Sequence, residues 1–168
     1  VGGRPSALEL ILPEIYLSQR GAEEKVAAAM RRYLKDGVFK KTEKGLILTV
    51  RSTPYVGRRI GLVGAVDLEE YDYSPNSSAL IRATEATIEE RIPPRMKIRK
   101  NAPAEFSHIM LLYDDASRSL NEKLYERRAE FEKIYDFDLN MDGGHVEGYF
   151  IRDCEGILSA FEQLGSAA

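Results

Sequence analysis

Only one cysteine, Cys154, stands among the 168 residues, which excludes an internal disulfide. A chain of this length buries roughly two-thirds of its unfolded surface, so it needs no disulfide or metal staple. The lone thiol fits a reducing compartment, and a cytoplasmic location is expected. Cys154 itself reads as a plain helix-start residue rather than a redox centre. Long apolar runs are missing too. None approaches the roughly 20 residues of a membrane span, so no membrane partner is expected. No basic-then-apolar leader is read at the start of the chain. An excess of one charge sign is also missing: 24 basic and 27 acidic residues give a net charge of −3, with the signs mixed. No basic stripe is concentrated enough to ask for nucleic acid. The phosphate loop of Walker type, the Gly-x-Gly-x-x-Gly turn and the Gly-x-Ser-x-Gly elbow are all missing. His108 and His145, far apart and without a cysteine pair, make no zinc signature, so no metal site is assigned.

What is present is an α+β pattern: a mixed, mainly antiparallel sheet with flanking helices. The expectation is one domain over 1–168, with 1–78 and 79–168 as two sub-lobes if it divides. Leu8, Leu10 and Leu12 alternate as in a short strand stopped by Pro13. A helix follows from Ala22, with Val26, Met30, Tyr33 and Leu34 on one face and Gly37 as its stop. Leu46–Val50 and Ile60–Val66 read as strands, and Gly61 and Gly64 suggest a bulge or a close backbone approach. Tyr71 to Ser78 is a polar loop. Residues 79–101 read as two short helices, the second opening at Pro93-Pro94. Ile109–Tyr113 reads as a buried strand, and Leu120–Lys133 as a charged amphipathic helix. Ile134–Asn140 and Val146–Arg152 are strands joined through Gly143-Gly144. Asp153 opens a last helix that turns Ile157, Leu158, Phe161 and Leu164 inward and stops at Gly165.

Two places hold candidate chemistry. Arg82, Arg91, Arg95 and Arg99 surround Thr84, Glu85 and Thr87. Guanidinium forks match phosphate oxygens, and helix starts add N–H donors. Arg82, Thr84, Arg91 and Arg95 are therefore candidate phosphate contacts, with Glu85 and Thr87 as candidate catalytic groups. Arginines at four-residue spacing beside Glu89 and Glu90 also describe an ordinary solvated helix. The second place is Asp142-Gly143-Gly144-His145, where an acid and a base flank two glycines. A two-glycine loop between adjacent strands accounts for it equally. His108 reads as a hydrogen-bonded edge residue. Pro54–Arg59 reads as a hairpin tip with solvated arginines, or as a holder of a base or phosphate.

The chain resembles a known family at several phrases. They include Pro5-Ser6-Ala7-Leu8-Glu9-Leu10-Ile11-Leu12-Pro13, Gly61-Leu62-Val63-Gly64-Ala65-Val66-Asp67 through Tyr71-Asp72-Tyr73-Ser74-Pro75, and Leu80-Ile81-Arg82-Ala83-Thr84-Glu85. Others are Arg91-Ile92-Pro93-Pro94-Arg95, His108-Ile109-Met110-Leu111-Leu112 and Gly143-Gly144-His145. Together they resemble the bacterial and archaeal family catalogued as domain of unknown function 1015. The resemblance implies the ParB and sulfiredoxin-like superfamily, whose members include nucleotide-binding partition proteins and a free-serine kinase. It also implies a chain about twice this length, and the opening Val1-Gly2-Gly3 likewise reads as mid-phrase, so a fragment is expected. The family's Asp-Gly-Asn-His-type motif lies beyond the matching region. Where divergent members read Pro-His-Glu-x-Thr, Thr84 replaces the histidine while Glu85 and Thr87 keep their types.

The expectation from all this is a phosphate- or nucleotide-handling domain that contributes part of an active site, like that of a phosphotransferase or nucleoside-triphosphate hydrolase. Its partner would be a nucleotide or another phosphorylated small molecule, with Mg2+ as cofactor if a nucleotide binds. The alternatives are a regulatory or nucleic-acid-associated module, and an assembly domain whose β region pairs with a second copy.

Overall fold

The computed structural model describes residues 5–11, 19–72, 74, 77–79, 81–82, 88–104, 106 and 108–166. The chain divides into two compact units, one from residues 1–42 and 83–111, the other from 43–82 and 112–168.

The first unit is helical. Helix α1 (Ala22–Lys35) carries Glu23 and Glu24 in its first turn and Arg32 and Lys35 in its last, which suits the helix dipole. Its buried face is Val26, Ala29, Met30 and Tyr33. Leu34, expected on that face, is 47% exposed. Gly37, at φ +69°, closes the helix; its N–H reaches Leu34 O while Val38 N–H reaches Tyr33 O. Helix α2 (Ile92–Asn101) begins with prolines in its first turn, as the Pro93-Pro94 pair predicts. It lays Ile98 against the α1 face, and Phe39, Ala102 and Phe106 complete that core. Over its described residues the predicted strand at Leu8–Leu12 is instead a 3-10 turn (Ala7–Glu9), with Leu10 3% exposed just after it; Leu12 lies outside the described residues. The same leucine spacing is matched by a tight turn that buries Leu10. Glu9 holds the turn, accepting from the Tyr33 hydroxyl at 2.7 Å and from Arg32 at 3.1 Å.

The second unit is an antiparallel sheet of order β2-β1-β4-β3 with helices on one face. Its strands are β1 (Leu46–Ser52), β2 (Arg59–Val63), β3 (Glu132–Leu139) and β4 (Gly144–Ile151). The α+β class is as expected; parallel pairing among the described residues is confined to an isolated bridge between Tyr71 and Ile81. Directly paired residues share a face, so Leu48, Val50, Tyr149 and Ile151 lie together. They form the core with Leu120 and with Leu124 and Ile157 from α3 (Asn121–Glu126) and α4 (Glu155–Ser166). Leu48 has no exposed surface at all. Arg58 and Arg128 each place a guanidinium carbon 4.0 Å from the Tyr125 ring centre, so Arg58 is stacked rather than simply solvated.

Several expectations fail here for physical reasons. Ile109–Tyr113 is no buried strand: it has no regular structure, and Ile109, Met110 and Leu112 are at least 80% exposed. An apolar run shows β propensity, but pairing depends on a partner strand that sequence does not reveal. His108 is accordingly exposed and borders no strand. The helix expected over Leu120–Lys133 stops at Glu126, and a 3-10 turn (Arg128–Glu130) leads into β3. Leu158 is 53% exposed, and α4 runs through Gly165 to Ser166. Of the two helices expected in 79–101, the second is α2; residues 80 and 83–87, in the stretch of the first, lie outside the described residues. Gly61 shows no close approach, whereas a Cβ on Gly64 would meet Leu46 Cδ2 at 2.5 Å. No described helix is long and apolar enough to cross a membrane.

Candidate functional site

The β3–β4 pair turns a charged patch onto the face that, further along, forms the core. Tyr149, Glu147 and His145 alternate along β4, so all three project to the side of Leu48 and Val50. On β3 a register shift between Lys133 and Tyr135 leaves Ile134 as the extra residue of a bulge. The bulge reverses the side-chain alternation. Lys133 pairs with Tyr149, Asp136 with Glu147, and Asp138 with His145. Without it, Asp136 and Asp138 would face away from Lys133.

The contacts are short and continuous. Lys133 Nζ lies 2.6 Å from Asp136 Oδ2 and 2.7 Å from Glu147 Oε1. The Tyr149 hydroxyl donates to the same Glu147 oxygen at 2.8 Å, while the ring stays buried in the core. His145 Nδ1 is 2.8 Å from Asp138 Oδ1, and its Nε2 is 2.9 Å from Asp136 Oδ1. A neutral imidazole offers one N–H, so both contacts are hydrogen bonds only in the imidazolium. The Asp138 hydrogen bond accordingly holds the His145 pKa above the usual histidine value, with charge from Asp136, Asp138 and Glu147 in support. The Lys133 hydrogen bond keeps Asp136 and Glu147 below the usual carboxylate range, and both carboxylates raise Lys133 in return. Burial, then the Glu147 bond, raises Tyr149.

The turn beside this patch is built for close approach. Met141 (φ +57°) and Asp142 (φ +56°) are both left-handed, and Gly143 N–H returns to Asn140 O at 3.2 Å. Gly144 sits at φ +87°, where a Cβ would lie 1.8 Å from Ser52 O. Only glycine lets β4 start so near the end of β1. Arg51 fixes the turn from β1 by donating twice to Gly143 O, at 3.1 and 2.8 Å. An open recess of about 490 Å³ results, with Ser52, Thr53, Asp138, Met141, Asp142 and His145 among its lining.

The sequence candidates are placed unevenly. His145 and Asp142 both line the recess, and His145 also joins the charged patch. Arg91 and Arg95 are exposed at the start of α2, in the helical unit. Arg82 belongs to the sheet unit, is exposed, and donates from Nε to Ala79 O at 3.2 Å. Thr84, Glu85 and Thr87 lie outside the described residues. Sequence reasoning missed Lys133, Asp136, Asp138, Glu147 and Tyr149. The signal was there in part: with the turn at 140–143, period-two alternation puts Asp136 and Asp138 opposite Glu147 and His145. Starting the second strand at Val146 left His145 in a loop and hid its pairing with Asp138.

No curated protein and no solved structure matches the chain. The family model described as "Protein of unknown function (DUF1015)" matches residues 1–167. With that match over essentially its whole length, the chain belongs to the DUF1015 family.

Proposed function

We propose that the chain handles a phosphorylated small molecule, a nucleotide being the first to test, and that the β3–β4 end of its sheet forms part of the site. The observation that carries this reading is the convergence of an imidazole, three carboxylates and an ammonium beside an open recess of about 490 Å³. Phosphoryl chemistry asks for a proton acceptor and for groups that balance moving charge, and residues of both kinds sit here on rigid paired strands. Arg91 and Arg95 are not needed for this site, and Arg82 is a separate candidate for phosphate contact.

The test is a melting-temperature series on the chain with millimolar ATP, CTP, GTP and sugar phosphates, with and without Mg2+. A ligand at 100-fold excess over its Kd stabilises by roughly 2.7 kcal/mol. The expected result is an upward shift with one ligand class that His145→Ala abolishes. No shift with any of them removes the reading. A plain cross-strand ion-pair ladder predicts the other outcome, in which His145→Ala lowers the unliganded melting temperature and no ligand matters.

A further inference from the structure

Asp136, His145 and Glu147 each offer one ligand atom, and these atoms lie within 4.8 Å of one another. We propose that these three residues form a site for a divalent transition-metal ion, of the zinc or manganese class. Its role as the bridge between the hairpin and a phosphate rests on the function proposed above; the metal site itself does not.

Donors around one such ion lie roughly 3–4 Å apart, given ligand distances of about 2.1 Å. The widest separation therefore closes by about an ångström, while His145 Nε2 and Asp136 Oδ1, now 2.9 Å apart, open slightly to admit the ion, a rotamer adjustment rather than a backbone one. The positions come from paired strands, Asp136 opposite Glu147 and both beside His145, so the backbone holds the set in register.

A residue outside the ligand set supports this assignment. Asp138 takes Nδ1 of His145 at 2.8 Å, which leaves Nε2 on the side of Asp136. A carboxylate on the far ring nitrogen is the arrangement that orients metal-binding histidines and fixes their tautomer. The interior of the set also already holds a positive charge: Lys133 Nζ sits between Asp136 and Glu147. Lysine has a long flexible stem and is 42% exposed here, so it can swing to water when an ion enters. The ion then takes over its role of balancing the carboxylates. One nitrogen and two oxygens favour Zn2+ or Mn2+ over Mg2+, which prefers oxygen ligands and retains its waters. A phosphate brought to three carboxylates is repelled unless such an ion lies between them.

The experiment is calorimetric titration of the chain with Zn2+, Mn2+ and Mg2+ separately, joined to Mn2+-induced line broadening in the wild-type amide spectrum. Expected are one Zn2+ or Mn2+ site, broadening centred on residues 136, 145 and 147, and weakening of at least about tenfold in His145→Ala and Glu147→Gln. Lys133→Met tightens binding, because it removes the competing cation; a structural ion pair alone predicts no such gain. No binding, binding centred elsewhere such as His108, or Lys133→Met without a gain overturns the proposal. The broadening map needs no variant, so a misfolded substitution cannot mask the result. Metal bound at these residues with no phosphorylated ligand taken up sinks the function reading and leaves the site. A nucleotide bound without any metal at these residues does the reverse.

Discussion

The Tyr135 hydroxyl lies 2.9 Å from Thr49 Oγ1, joining strands β3 and β1 across the bare backbone of Gly148. Gly148 pairs with Thr49 on one side and Tyr135 on the other, so all three share the face opposite the helices. The ring lies where a Gly148 side chain would be: a Cβ there would come within 2.1 Å of Tyr135 Cζ. Gly148→Ala is therefore expected to destabilise the chain by about 1–3 kcal/mol through displacement of the ring. Tyr135→Phe removes only the hydrogen bond and costs about 1 kcal/mol. Urea unfolding of the two variants and their combination checks this. In the double variant the displaced ring has no hydrogen bond to lose, so the two costs should sum to more than the pair together.

Gly144 and Gly61 should respond in opposite ways to the same substitution. Gly144→Ala combines a left-handed φ of +87° with a Cβ driven into Ser52 O, and about 2 kcal/mol or more is expected. At Gly61 nothing lies within 4 Å of an added Cβ and the φ is ordinary. Gly61→Ala should then change stability by no more than about 0.5 kcal/mol, or raise it. Denaturation midpoints of the two variants decide the matter, and similar losses at both would contradict the turn geometry.

Asp115 orders the turn that leads into α3, accepting from Ser117 Oγ, Ser119 Oγ and Leu120 N–H at 2.9–3.0 Å. A hydrogen bond from the Ser119 backbone N–H, the largest cause, and these side-chain and backbone bonds hold its carboxyl below the usual value. A folded-state pKa below the unfolded one gives stability that is present above the unfolded value, near 4, and is lost as pH falls through the folded one. Melting temperature should drop more steeply with acid in the wild type than in Asp115→Asn, measured between pH 6 and the acid end of the folded range. Parallel slopes would mean these hydrogen bonds to Asp115 are not formed.

Leu48 has no exposed surface and sits at the centre of the sheet unit's core. Leu48→Ala should cost about 2–5 kcal/mol, while Met141→Ala, at a turn position 98% exposed, should change little. Thermal or urea unfolding of each variant checks the contrast.

The sequence made the helix from Ala22 and all four strands legible, because periodicity and turn residues agree there. It misled at Ile109–Tyr113, where five apolar residues in a row look like a buried strand yet form no strand pairing among the described residues. The candidate site was half visible. His145 and Asp142 stood out beside their glycines, but the patch around His145 depends on the bulge at Ile134. That one extra residue puts Lys133 and Asp136 on the same face, and local composition does not announce it. Ion pairing across strands is a product of register, which is decided by tertiary packing.

The most direct test is an amide chemical-shift map of the isotopically labelled chain titrated with ATP in the presence of Zn2+ or Mg2+. The account predicts perturbations clustered at Thr53, Lys133, Asp136, Asp138 and residues 144–147, moving together with one apparent affinity. Perturbations centred on other residues, or an unchanged spectrum at millimolar ATP, would contradict it.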